Sequence, residues 1–189
     1  MTDNRKVKTM ATKHNIQLKR LAMIASKDPT RSSLCQVYRD TETKSMISTD
    51  GHRMIQDKSS YDLADTSFDA NVYLKTGHIY PINETFPTSI ARQYFGKFKN
   101  THKDLSAFKL PDISKLNTFK KPFITYFKAN GEMTIMNKPE NAEFALDLRL
   151  LDVLSEREIK IWYRDAVNAV TIEIINEPEV LMVVMPCSL

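Results

Sequence analysis

Two dipeptides, Asp50-Gly51 and Asn130-Gly131, each stand between short runs in which apolar and polar residues alternate. Alternation at period two gives a strand one apolar face, and an Asx-Gly pair supplies the positive-φ backbone of a tight reversal. A chain written this way is committed to antiparallel pairing in two places. Residues 123–136, FITYFKANGEMTIM, read as one hairpin. Upstream, LCQVYRD at 34–40, KSMIST at 44–49 and HRMIQ at 52–56 read as a three-strand meander that turns through Thr41–Thr43 and again at Asp50-Gly51.

Other segments follow 3.6-residue spacing. HNIQLKRLAMIASK at 14–27 places Leu18, Leu21, Ala22 and Ala25 on one helical face, and Asp28-Pro29 stops it. Residues 57–70 read as a polar connection, NVYLKT at 71–76 as a strand, and TSIARQYFGKFK from 88 as a second helix. Residues 100–121 are basic, weakly periodic and carry Pro111, the pattern of a loop or insertion. AEFAL at 142–146 is a strand, and DLRLLDVL from 147 is a short helix with Asp147 as its candidate cap. Strands from 158, 168 and 180 close the chain. The first and last thirds thus share one plan, a helix followed by three antiparallel strands, as if a βαβββ unit were used twice. The expected class is α+β, with helices on one face of antiparallel sheets. The expected divisions are 1–60, 61–121 and 122–189.

Composition narrows function more by exclusion than by indication. With 27 Lys plus Arg against 23 Asp plus Glu the net charge is +4, a mild bias toward anionic partners. Four glycines, none close to another, make no phosphate-cradling loop. The four histidines, His14, His52, His78 and His102, lack metal-ligand spacing, so no metal or cofactor is expected. Asp57, Asp62, Asp65 and Asp69 could in principle hold a divalent ion and support a nuclease, but they are spaced irregularly and read as a solvated acidic loop. Cys35 and Cys187 sit in apolar patterns and are expected to pack rather than react. Two cysteines without a framework, no apolar run of signal-peptide length and no long apolar stretch point to a soluble, cytoplasmic, non-membrane protein.

Two stretches stand out: ISTDGHRM at 47–54 and VVMPCSL at 183–189. Together and in this order they resemble the bacterial DNA polymerase III β sliding clamp family, whose middle domain carries an ATDGHRL-type segment and whose chain ends in VVMPMRL. The resemblance extends over Asn15–Met54 and Gly131–Leu189, roughly half of the chain. It implies a clamp fold and a non-enzymatic processivity factor that forms a homo-oligomeric ring around duplex DNA and tethers a polymerase. Lys13, Lys19, Arg20, Lys27, Arg92 and Lys99 would face the phosphates, giving a sequence-independent attraction that permits sliding. It also implies an apolar groove for short linear peptides of polymerases, clamp loaders and repair proteins. One wall would be Leu34, Thr49, Gly51, His52, Arg53 and Met54, with His52 and Arg53 orienting the peptide. The other would be Val167, Ala169, Val183, Met185, Pro186 and Cys187. Cys187 stands where the family has its second methionine, Ser188 where it has arginine and Met54 where it has leucine, and residues 60–121 show no counterpart. The family's chain carries three domains and this one has room for fewer, so a rival reading keeps fold and groove without the ring, as a regulator or decoy of replication proteins.

Overall fold

The computed structural model describes residues 16–82, 103–105, 107–113 and 123–189. The chain divides into two compact units, 1–87 and 88–189.

In the first unit, helix α1 runs over residues 16–24. It buries Leu18, Leu21, Ala22 and Ile24, and Ala25, just beyond its end, is buried with them, so all four positions marked by the helical spacing face inward. A 3-10 segment, Pro29–Leu34, follows, with Asp28 as its cap accepting from the Thr30 N–H. The meander is β1 (Gln36–Asp40), β2 (Ser45–Thr49) and β3 (Arg53–Asp57), paired antiparallel in that order. Register puts Val37, Ser48 and Ile55 in one cross-strand row and Arg39, Met46 and Asp57 in the next. Apolar members of both rows are fully buried, and α1 reaches the end of the second row through Arg20, whose Nη2 lies 3.1 Å from Asp57 Oδ2.

Residues 57–76 depart from the sequence expectation. The connection contains a 3-10 turn, Tyr61–Leu63, and a strand, β4 (Ser67–Asp69), which pairs with the outer side of β1. The expected strand at 71–76 is instead helix α2 (Ala70–Thr76). Its caps explain why. The Asp69 carboxylate accepts from the Val72 N–H, and Gly77, at φ 72°, closes the other end with its N–H on the Tyr73 carbonyl. The buried residues Ala70 and Tyr73 are three apart, so the helical period overrides the β propensity of Val72 and Tyr73. A short β5 (Pro81–Ile82) extends the sheet beyond β4. The helix expected from 88 to 99 lies outside the described residues.

The second unit holds two sheets. Within the segment read as a loop, β6 (Lys103–Asp104) and β7 (Phe108–Lys109) both pair with β11 (Glu158–Tyr163), and Leu105, Leu110 and Ile113 are buried beside them. β11 pairs in turn with β12 (Val170–Ile174), and β12 with β13 (Glu177–Val184). The other sheet is the expected hairpin, β8 (Ile124–Phe127) and β9 (Met133–Ile135), with β10 (Phe144–Asp147) on the far side of β8. Gly131 turns the hairpin at φ 83°, its N–H on the Lys128 carbonyl. A core of Phe127, Phe144 and Tyr163 joins the two sheets, with Phe127 and Phe144 stacked at a 4.8 Å centroid distance. After β10, Asp147 caps a helix as expected, but the helix is a 3-10 segment, Leu148–Leu154, that buries Leu148, Leu151 and Leu154.

Candidate functional site

The turn between β2 and β3 is built almost entirely by one side chain. Asp50 Oδ1 accepts the N–H groups of His52 and Arg53, and Oδ2 accepts from Arg53 Nε at 3.1 Å. Thr49 closes the loop, donating its hydroxyl to the Arg53 carbonyl and accepting the Gly51 N–H. Such Asx and hydroxyl contacts satisfy backbone donors that a tight turn would otherwise strand. Gly51 adopts φ 92°. A methyl group added there would fall 2.5 Å from Arg31 Nη2 and 3.6 Å from Leu34 Cδ1. The turn and the 3-10 segment that ends in Leu34 therefore form one surface, with Met54 buried, Leu34 half-buried, and Gly51 and His52 exposed.

Arg53 is used within the protein. Besides Asp50, its guanidinium reaches the Met23 carbonyl at the C-terminal end of α1 at 3.4 Å, and its side chain is 10% exposed. It ties the turn to the helix. The cation left at the surface is Arg31, which the sequence reading did not single out. It is exposed, lies over Gly51, and makes no side-chain hydrogen bond among the described residues. Its only signal in the sequence was its place three residues before Leu34.

The second set of six residues lies at one end of β12 and β13. Val170 pairs with Val184 and Thr171 with Val183, so Ala169 and Met185 continue the two strands from the same rung. Val183 is buried and Ala169 half-buried, while Val167 and Met185 are exposed, Val167 at 77%. The chain then leaves β12. The Cys187 N–H bonds the Ala145 carbonyl at 2.8 Å, making a single bridge to β10. Burial and the Asp147 carboxylate push the Cys187 thiol up, and burial followed by Asp69 does the same at Cys35. The structure thus brings together the members of each half-set within its own unit.

The DNA-facing set is altered. Lys19 and Lys27 are exposed, but Arg20 is buried against Asp57 and cannot face a phosphate; that assignment is corrected. The desolvation of the guanidinium is offset by its buried carboxylate, and the Asp57 oxygens also accept from Ser59 and Ser60. The exposed stripe of α1 carries Ile16 and Met23 beside Lys19. Lys13, Arg92 and Lys99 lie outside the described residues. The solvated acidic-loop reading is corrected for Asp57, which is buried, and Asp69, which caps α2, while Asp62 and Asp65 are exposed. Among the described residues no three His, Cys, Asp or Glu side chains gather as a metal site, and no helix is long and apolar enough to cross a membrane.

No family model and no curated protein matches the sequence. Solved structures do match. The β subunit of DNA polymerase III from Borrelia burgdorferi, solved with a natural product, aligns with a TM-score of 0.60 at 16% identity over 93% of this chain and 62% of its own. The Bartonella birtlesii sliding clamp bound to griselimycin gives 0.62 and 18% over 95% of this chain and 65% of its own. The Helicobacter pylori β clamp bound to a DNA ligase peptide gives 0.54 and 10% over 93% and 63%. The chain has the sliding-clamp fold. It is a divergent clamp-fold protein that spans a little under two thirds of the length of these clamps.

Proposed function

We propose that this protein is a clamp-like processivity factor that associates with duplex DNA without sequence preference, assembles with copies of itself, and tethers a DNA polymerase or another replication protein by a short apolar peptide motif. The observation that carries the reading is the clamp fold over nearly the whole chain. The geometry of the Thr49–Met54 turn adds to it, because the turn is rigidly preorganised around Asp50 and leaves Leu34 and Gly51 at a shallow apolar surface. The Helicobacter pylori clamp, with its DNA ligase peptide, shows that this fold accepts peptide ligands. In this reading the protein performs no reaction; it works by effective concentration, holding a partner near DNA.

Encirclement is tested by retention. A ring stays on a closed duplex circle through a high-salt wash and runs off once the circle is cut, whereas surface binding is lost equally from both. Solution mass supplies the second arm, because a strict monomer at micromolar concentration would remove the ring. The burial of Arg20 and the exposed Ile16 and Met23 on α1 favour one alternative, a clamp-fold module that binds replication proteins without enclosing DNA. Equal loss from circular and cut DNA, with peptide binding intact, would establish it.

A further inference from the structure

The sheet of β8, β9 and β10 ends differently on its two sides. At β10 the Ala145 carbonyl takes the Cys187 N–H. At β9 no further strand pairs among the described residues. Two main-chain bonds fix which way β9 faces: the Met136 N–H donates to the Ile124 carbonyl at 2.9 Å and the Lys128 N–H to the Glu132 carbonyl at 3.0 Å. Antiparallel pairing alternates, so Glu132, Thr134 and Met136 turn their main-chain groups to β8, while Met133 and Ile135 turn theirs outward. The side chains of Met133 and Ile135 lie on the core face, because register continues the row of Phe144 and Phe127 into Met133 and the row of Leu146 and Thr125 into Ile135. Burial fades along both rows. Phe127 and Thr125 are fully buried, Met133 is half-buried and Ile135 is 39% exposed. β9 is therefore an open strand edge and the uncovered end of a core at once. Other outer strands are guarded, β5 by Pro81, β6 by Lys103 and Asp104, and β7 by Lys109, the residue types that discourage edge pairing. Met133-Thr134-Ile135 has neither charge nor proline.

We infer that β9 is an interface between two copies of this chain, paired antiparallel about a two-fold axis at Thr134. This rests on the self-assembly in the reading above and names a surface that makes it. About that axis Met133 of each copy faces Ile135 of the other, and because both turn outward, the facing residues exchange their main-chain hydrogen bonds. The same pairing sets the Met133 side chain against that of Ile135 and covers the open end of each core. The strand is self-complementary in charge as well, since an uncharged edge brings no like charges together. A parallel copy would present a fresh edge to a third chain, whereas the two-fold arrangement closes. Positive φ at Gly131 (83°) and Met136 (61°) interrupts the extended backbone at either end of β9, which keeps the contact short and the dimer weak.

The test is sedimentation velocity of the full chain at rising concentration, without DNA. The unaltered protein is expected to move from monomer toward dimer. Ile135→Lys places an ammonium against Met133 of the other copy, and should raise the dimer dissociation constant by about tenfold or more. Its fold is checked by circular dichroism and melting. A second variant decides the matter even if that one fails to fold. Facing Thr134 residues occupy a non-hydrogen-bonded position with Cα atoms about 4.5 Å apart, within reach of a disulfide. Oxidised glutathione should therefore link Thr134→Cys into a covalent dimer, and leave Lys138→Cys and the unaltered chain unlinked. If the chain associates but folded Ile135→Lys associates equally well, or Thr134→Cys is not linked, this inference falls and self-assembly stands on another surface. If the unaltered chain stays monomeric at every concentration, the inference and the self-assembly fall together.

Discussion

Each unit contains an Arg–Asp pair, but the pairs are made in different ways. In the first unit, Arg20 of α1 meets Asp57 of β3 across 37 positions of sequence, with side chains 9% and 0% exposed. In the second, Asp147 and Arg149 are two residues apart, with side chains 11% and 24% exposed. The distant pair joins a helix to a sheet and exists only when both are in place. The local pair forms with the start of the Leu148–Leu154 segment that it caps, so it reports on one turn of chain. Chemical similarity therefore conceals a difference in what each pair stabilises: tertiary assembly in one unit, local backbone geometry in the other.

The comparison breaks first at Asp57. In Asp57→Ala the Arg20 guanidinium stays buried without its carboxylate, and Ser59 and Ser60 lose their shared acceptor. The expected loss is about 3–5 kcal/mol in unfolding free energy, the range for removing one member of a buried pair. Urea denaturation measures it. A double change, Arg20→Met with Asp57→Leu, should recover most of the loss, because an apolar pair needs no desolvation. If the single and double variants are equally unstable, packing volume rather than unpaired charge is responsible.

Asp147→Ala should cost less, about 1–2 kcal/mol, since it removes an N-cap and a partly exposed pair. This site also carries a pH signature. Burial alone would raise the Asp147 carboxyl, but hydrogen bonds from the Arg149 guanidinium and from the N–H groups of Phe123 and Arg149 outweigh it, and the net shift is downward. A carboxyl lowered on folding adds stability that is complete above its unfolded value near 3.8 and disappears as pH falls through the lower folded value. Comparing unfolding at pH 6 and in that acid window should show a smaller decrease for Asp147→Ala than for the unaltered chain. An identical decrease would mean that Asp147 contributes no linked protonation.

The local features were legible in the sequence and the distant ones were not. Asn130-Gly131 as a hairpin, Asp147 as a cap and the stripe Leu18, Leu21, Ala22 and Ala25 all depend on neighbours within about one turn of chain, and the structure has each of them. Arg20 looked like one more basic residue on a helix because its partner is 37 positions away, and the acidic run from Asp57 looked solvated for the same reason. The strand expected at 71–76 failed where two local signals competed: β-branched and aromatic content against a pair of caps, Asp69 and Gly77, that fix a helix between them. The six candidate groove residues of the first unit were marked by their resemblance to a family, but which arginine stays free beside them was not. That depends on Asp50 and the Met23 carbonyl claiming Arg53, a matter of side-chain geometry.

Asp50 and Arg53 sharpen the comparison, because they form a local pair inside the unit that also has the distant one. If range in sequence decides what an Arg–Asp pair stabilises, this pair should behave like Asp147–Arg149 and not like its neighbour Arg20–Asp57. Asp50→Asn keeps an oxygen to accept the His52 and Arg53 N–H groups, so the turn survives, and removes the carboxylate charge and the oxygen that accept from Arg53 Nε. With the Asp50 side chain 20% exposed, solvent screening limits the expected loss to a few tenths of a kcal/mol, about 0.5. The measurable consequence is local: hydrogen exchange should quicken at His52 and Arg53, whose N–H groups rest on Asp50, and remain unchanged at Ile55 in the centre of β3. Global destabilisation on the scale of Asp57→Ala would mean that Arg53, through the Met23 carbonyl, holds α1 to the sheet as firmly as Arg20 does, and that position in the unit outweighs range in sequence.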